Sequence, residues 1–238
     1  MLQLILIVTL AMFFFTIERL HPGRTMPQSS HWYLRALLLN GVQFSLVFIA
    51  GATWNIWFQT TSLFHVQGLL HPVGEGFFYW FIGTFVFYWW HRLRHAPGFW
   101  LVFHQVHHSP TRVETLTAFY KHPLEMIANS VLISAIIFLI FGGSLEAAAW
   151  YNVFAVGGEF LYHVNLRTPK WFGYFIQRPE QHSIHHQFGV HSYNFGDITW
   201  WDRLFGTFKE AEKFAPACGF EQKKEEQLLA MLAFKNIT

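Results

Sequence analysis

The sequence predicts an all-α membrane protein: four to five transmembrane helices carrying a cytosolic helical cap rich in histidine. Three observations carry that expectation. Of 238 residues, 53% are hydrophobic, 20% aromatic and only 13% charged, with a mean hydropathy of +0.25, whereas an ordinary soluble domain carries about 25% charge. Long apolar runs recur between polar stretches. All 16 Lys and Arg residues fall in segments that this layout places on one side of the bilayer, the bias expected of a cytoplasmic face.

The elements follow in order. Residues 2–17 are almost entirely apolar and lack the leading positive charge and small-residue cleavage site of a secretory signal. They are expected to form a first span, short against the roughly 20 residues a bilayer requires. Trp32 to Phe58 is read as the second span and Val73 to Trp90 as the third. The third ends in Tyr88-Trp89-Trp90, side chains suited to a membrane interface. Leu124 to Phe141 is the fourth, and Gly142-Gly143-Ser144 is a tight connector. Leu145 to Tyr162 is the fifth, interrupted by Asn152 and Glu159. The layout puts the N-terminus outside and the polar stretches 92–123 and 164–238 in the cytoplasm. Three regions result: a hairpin over 1–72, a central domain over 73–210, and a tail over 211–238 read as an amphipathic surface helix.

Composition also excludes functions. A net charge of +2 is too balanced for a nucleic-acid binder. A single cysteine, Cys218, rules out an internal disulfide, a cysteine-rich zinc site and a thiolate-held iron–sulfur cluster.

The outlier is histidine, with 15 copies. His91 and His95 form an HxxxH motif, His104, His107 and His108 an HxxHH motif, and His182, His185 and His186 another; His163 stands alone after the fifth span. On a helix, residues three or four apart share a face. His91 therefore points with His95, and the first histidine of each HxxHH with the third, the second lying about 60° around. Pro97 and Ser109-Pro110 are expected to end the first two histidine-bearing helices. Lone histidines near a membrane surface are commonly hydrogen-bonding residues, and His21, His31, His65 and His71 are read that way. The clustered ones are read as metal ligands, since a crowd of imidazolium ions repels itself and coordination keeps the rings neutral. A zinc site takes about four ligands, so nine histidines suit a pair of ions. Imidazole suits Zn, Cu, Fe and Ni. Zinc would support hydrolysis, but carboxylates are scarce around these histidines. Iron with O2 suits attack on an unactivated C–H bond, which no side chain can perform.

The order HxxxH, HxxHH, single His, HxxHH resembles the integral-membrane fatty acid hydroxylase/sterol desaturase superfamily. The segments FHQVHHSP (103–110), KHPLE (121–125), YHVNLRTPKW (162–171) and NFGDITWWDRLFGTF (194–208) look like those of its bacterial members. The resemblance covers about residues 75–210. It implies a di-iron enzyme that uses O2 and electrons from an external donor to hydroxylate or desaturate a membrane lipid, in a bacterial inner membrane. Its metal ligands map onto His91, His95, His104, His107, His108, His163, His182, His185 and His186. Some members carry a second histidine four residues from the one matching His163; here that position is Glu159. Glu159 is thus a candidate ligand, outer acceptor or substrate contact, and Asn165 is a further candidate there. His122, His191, Asn194 and Asp202 are outer candidates, with Glu114, Glu125 and Glu180 as possible orienters of ligating rings. The chain has no haem-attachment or dinucleotide motif, so a separate electron-transfer protein is the expected partner. The alternative from another class is a non-redox, zinc-loaded membrane metalloprotein, a hydrolase or a metal-binding protein.

Overall fold

The computed structural model describes residues 1–221 and 223–238. Its elements are α1 (Leu2–Leu20), α2 (Trp32–Ala52), α3 (Trp54–Phe58), α4 (Pro72–Arg94), α5 (Pro97–Phe99), α6 (Gln105–His108), α7 (Pro123–Ser134), α8 (Leu145–His163), α9 (Pro179–His185), α10 (Thr199–Leu204) and α11 (Leu228–Leu232). A π-helical turn, Trp100–His104, leads into α6, and another, Ala135–Ile140, prolongs α7; short 3-10 turns lie at Thr115–Thr117 and Lys170–Tyr174. Among the described residues, β structure is limited to two isolated bridges, Ile176 with Ile198 and Gln187 with Cys218.

Three helical runs are long and apolar enough to cross a membrane: Leu2–Leu20, Trp32–Ala52 and Pro123–Ile140. α4 and α8, with 23 and 19 residues, have the length too, about 34 and 28 Å at 1.5 Å per residue. Their composition is more aromatic and polar, and the polar side chains Glu75, Thr84 and His91 of α4 turn inward and are buried. The two helices approach closely because Gly76 has no side chain. A Cβ there would lie 2.5 Å from Trp150 Cβ and 2.8 Å from the Ala147 carbonyl. Gly142, with φ +64°, and Gly143 make the tight turn before α8, whose cap Ser144 accepts from Ala147 N at 3.0 Å.

Proline placement decides where the site-bearing helices begin. Pro72, Pro123 and Pro179 each occupy the first turn of a helix, where the missing N–H costs nothing. His71 and His122 cap two of these turns through their own rings. Pro97 behaves in the same way. It also marks the expected helix end: α4 closes at Arg94, just before it, and Pro97 then opens α5.

Other boundaries also moved. α1 runs on to Leu20 rather than stopping at Ile17, because buried Glu18 is satisfied by the backbone N–H groups of Thr115 (2.9 Å) and Asn165 (3.0 Å). The second run breaks at Thr53, which separates α2 from α3. The tail is not a surface helix. Among the described residues its one helical element is α11, and Phe220, Leu228 and Met231 are buried with Val106, Tyr120 and Met126. The buried Gln105 amide holds its end, donating to Lys235 O (2.9 Å) and accepting from Ile237 N (3.1 Å).

Candidate metal centre

The nine clustered histidines meet in two adjoining groups. His91, His95, His104, His108 and His185 form one, and His107, His163, His182 and His186 the other; within each, one ring nitrogen per residue lies within 4.8 Å of all the rest. Helical periodicity explains the partition. In the first HxxHH, positions one and three face the five-membered group and position two the four-membered group. In the second HxxHH the assignment is reversed: His182 and His186 join the four, His185 the five. The groups touch where His108 stacks on His186, ring centroids 4.4 Å apart.

The surrounding backbone fixes which nitrogen points inward. Nδ1 of His91 donates to Phe195 O (2.7 Å), Nδ1 of His163 to Glu159 O (2.8 Å) and Nδ1 of His185 to Tyr193 O (2.8 Å). A carbonyl only accepts, so each of these rings carries its proton on Nδ1 and presents a bare Nε2 inward. His182 Nδ1 meets Gln177 Oε1 at 2.5 Å, and the Gln177 amide is oriented by donating to Asn194 O at 2.8 Å. His104 Nδ1 lies 3.2 Å from Glu125 Oε1, which also pairs with Arg94.

The inward nitrogens crowd together. Nε2 of His182 is 3.1 Å from Nε2 of both His163 and His186; His163 and His107 approach to 3.4 Å, and His95 and His185 to 3.3 Å. Between His163 and His182 there is no proton to share, because both rings have placed theirs outward. Opposed lone pairs at this distance repel unless a cation lies between them. Protonation does not relieve the crowding. Burial, reinforced mostly by neighbouring rings, pushes all nine below the ordinary imidazole value, His163 to about 4 and His185 to about 3. His91 Nε2, His104 Nε2, His107 Nδ1, His186 Nδ1 and both nitrogens of His108 are buried without a hydrogen-bond partner. Such a cost is unusual in a folded protein. The donor set is therefore a fit for a pair of imidazole-held metal ions, and neither group contains a carboxylate.

The outer candidates divide. Glu159 lends its carbonyl to His163, while its carboxylate pairs with Lys121 at 2.6 Å. Asp202 accepts from Phe195 N (2.8 Å), Gly196 N (2.8 Å) and Thr207 Oγ1 (2.7 Å), so it anchors the loop whose carbonyl fixes His91. Asn194, at φ +56°, ties Gln181 and Lys209 together and positions Gln177. His191 lies at the edge, its ring 4.9 Å from His108 and 5.2 Å from Trp100. His122 and Asn165 bond elsewhere: His122 to the start of α7 and Leu232 O, Asn165 to the backbone of Arg24. Glu125 faces His104, whereas Glu180 binds Thr168 and Arg178, and Glu114 binds Trp32 and Arg112. Gln177 and the carbonyls of Tyr193 and Phe195 went unremarked in the sequence. An amide five residues before a histidine carries no pattern, and every residue has a carbonyl.

Fold and site together define a helical membrane protein built around clustered histidines. The chain belongs to the fatty acid hydroxylase family, whose model matches residues 76–207, more than half of its length. Its relatives include a fatty acid hydroxylase domain-containing protein 2 from Macaca fascicularis, 29% identical over 42% of this chain and 29% of the relative. A sphinganine C4-monooxygenase 2 from Arabidopsis thaliana is 30% identical over 50% of this chain and 48% of the relative. A C-4 methylsterol oxidase from Schizosaccharomyces pombe is 28% identical over 53% and 44%. The chain thus matches less than half the length of each of these proteins. No solved structure matches it.

Proposed function

We propose that the protein is an O2-dependent oxidoreductase that hydroxylates or desaturates a membrane lipid, with the nine clustered histidines holding a pair of iron ions. The observation that carries this reading is the convergence of unprotonated Nε2 atoms in two touching, carboxylate-free groups. Membership of the family and the lipid-oxidising names of its relatives support the reaction class. Iron so held supplies the activation of O2 that an unactivated C–H bond requires.

The chain's own residues supply the rest. Phe195 O, Tyr193 O, Glu159 O and Gln177 Oε1 lock four rings in the tautomer that offers Nε2. The Phe195 ring packs on His91, His95 and His185 at 5.2–5.5 Å between centroids, and Trp100 lies 5.4 Å from both His95 and His108. These aromatic walls exclude water from the histidine face. The apolar helices deliver the acyl chain or sterol ring, and electrons come from a separate donor protein. The orientation proposed puts the N-terminus outside and the histidines on the cytoplasmic face.

The test is expression under air with iron supplied, followed by metal analysis and lipid profiling. Oxidised lipids that vanish in a His107→Ala/His185→Ala double variant support the proposal. Identical lipid profiles across several lipid backgrounds refute it, and zinc with an O2-inert site favours the non-redox alternative.

A further inference from the structure

The histidine-bearing half of the molecule carries a surface of unusual composition. The 3-10 turn Lys170–Tyr174 and α10 are strapped together. Thr199 Oγ1 (3.0 Å) and the Arg203 guanidinium (3.3 Å) donate to Gly173 O, and Trp200 Nε1 donates to Tyr174 O at 2.8 Å. The bridge between Ile176 and Ile198 closes the unit. It presents Trp171, Tyr174, Phe175, Trp200 and Leu204, all between 46 and 68% exposed. Residues 171–177 contain no charge, and 198–208 contain only Asp202, which is buried, and Arg203. The Arg203 guanidinium lies 3.6 Å from the Phe208 ring centroid. Single exposed apolar residues are ordinary; a contiguous patch of this size marks a contact surface.

Its depth follows from α4. Trp201 packs on Phe81 and Phe85 with centroids 5.9 and 5.1 Å away, and its Nε1 donates to Thr84 Oγ1 at 2.9 Å. Phe205 packs on Trp89 at 4.7 Å, and Thr207 Oγ1 meets the Tyr88 hydroxyl at 2.9 Å. α10 therefore runs alongside α4 toward its middle. At 1.5 Å per residue, Thr84 is about 10 Å and Phe81 about 15 Å below His91 along the helix. The exposed stripe of α4 at this level is Phe77, Phe85, Trp89 and Leu93, with no charge in it.

We infer that residues 171–176 and 198–205 form a wedge set into the bilayer leaflet on the histidine side, and that the occupant of its aromatic patch is lipid rather than protein. The inference rests on α4 crossing the membrane. It is carried by continuity: the patch adjoins the uncharged stripe of α4 at the same depth, so one lipid layer covers both. The composition agrees, because Trp and Tyr with a flanking Arg are the side chains of a membrane interface, and short apolar-faced elements lie in that plane. The carbonyls of Gly173 and Tyr174 are already satisfied by side-chain donors, which irregular backbone in lipid requires. The wedge thus brings the leaflet up to the loop whose Tyr193 and Phe195 carbonyls fix His185 and His91.

Site-directed spin labelling tests this. Cys218 is the sole cysteine, so Cys218→Ala gives a clean background for single labels at Tyr174→Cys and Leu204→Cys. Phe48→Cys, exposed on α2, reports lipid, and Glu212→Cys, exposed beside Lys170, reports water. The full chain is placed in vesicles of phosphatidylcholine and phosphatidylglycerol, and collisions with O2 and a water-soluble nickel chelate are measured. The wedge predicts nickel collision rates at Tyr174 and Leu204 at least about fivefold below that at Glu212, with O2 rates matching Phe48. Nickel rates equal to Glu212 overturn it, as do labels shielded from both reagents, the signature of a protein partner. Trp171→Cys replaces Tyr174→Cys if that variant folds poorly.

Discussion

Replacing Gln177 with leucine removes one small part of the site and leaves every histidine in place. Gln177 is buried, accepts from His182 Nδ1 at 2.5 Å and donates to Asn194 O at 2.8 Å. Leucine has similar bulk and neither function. Two buried polar groups are then orphaned, each costing roughly 1–3 kcal/mol. His182 also loses the acceptor that holds its proton outward, so its ring divides between tautomers and only one offers Nε2 to the four-histidine group. Removing an outer partner of this kind typically weakens metal binding 10–100-fold. Chelator competition on iron-loaded protein should show that loss in the weaker-held ion, together with a lowered thermal midpoint. Gln177→Glu separates the two effects: its carboxylate still accepts from His182 but no longer donates to Asn194. Metal affinity should return while the stability loss persists. If Gln177→Leu binds both ions within about twofold of the parent, the tautomer argument for the four-histidine group is wrong.

Four further outcomes are expected. Metal-free protein should lose stability as pH falls below about 6.5: the folded histidines stay neutral to about 4 at His163 and about 3 at His185, whereas unfolded ones protonate near 6.5. The unfolded state binds more protons there, so each such histidine costs about tenfold in the folding equilibrium per pH unit until its folded value is reached; metal-free denaturant melts from pH 7.5 to 5 check this, and a flat profile contradicts it. Asp202→Asn removes a buried carboxylate that accepts from two backbone N–H groups and Thr207, and should cost roughly 1.5–3 kcal/mol in denaturant unfolding. Gly76→Ala drives a Cβ into Trp150 and the Ala147 carbonyl, and should cost about 1–3 kcal/mol or more by separating α4 from α8, read as a lower thermal midpoint in detergent. Single His185→Ala and His107→Ala variants should each weaken a different group, so iron retained by one is lost by the other under the same chelator.

Much of this architecture is legible before folding because its signals are periodic. HxxHH and HxxxH spacings place eight rings on shared helix faces, and all eight meet, joined by the lone His163. The division into two groups is compatible with that spacing, since the middle histidine of each HxxHH lies about 60° around from the other two. What it does not contain is the reversal between the two motifs, which follows from how α6 and α9 approach each other. The outer shell is less legible for a chemical reason. Three of its acceptors are main-chain carbonyls, at Glu159, Tyr193 and Phe195, and no side-chain pattern announces them. Asp202 acts at one remove, through backbone amides, and His122, which looks like part of the histidine set, is spent on starting α7. Pro97 is legible as a helix end, since α4 closes at Arg94 just before it; that it also opens α5 is not. The tail's charges suggest a solvated helix, but Leu228 and Met231 are drawn into the core beside Val106, between two of the site's histidines.

The most direct measurement is Mössbauer spectroscopy with elemental analysis on protein produced with iron-57. Two touching sets of inward lone pairs predict a pair of irons per chain, both nitrogen-rich, that react with O2 once reduced. A chain that takes up a single ion, or none, with its helices intact contradicts the account.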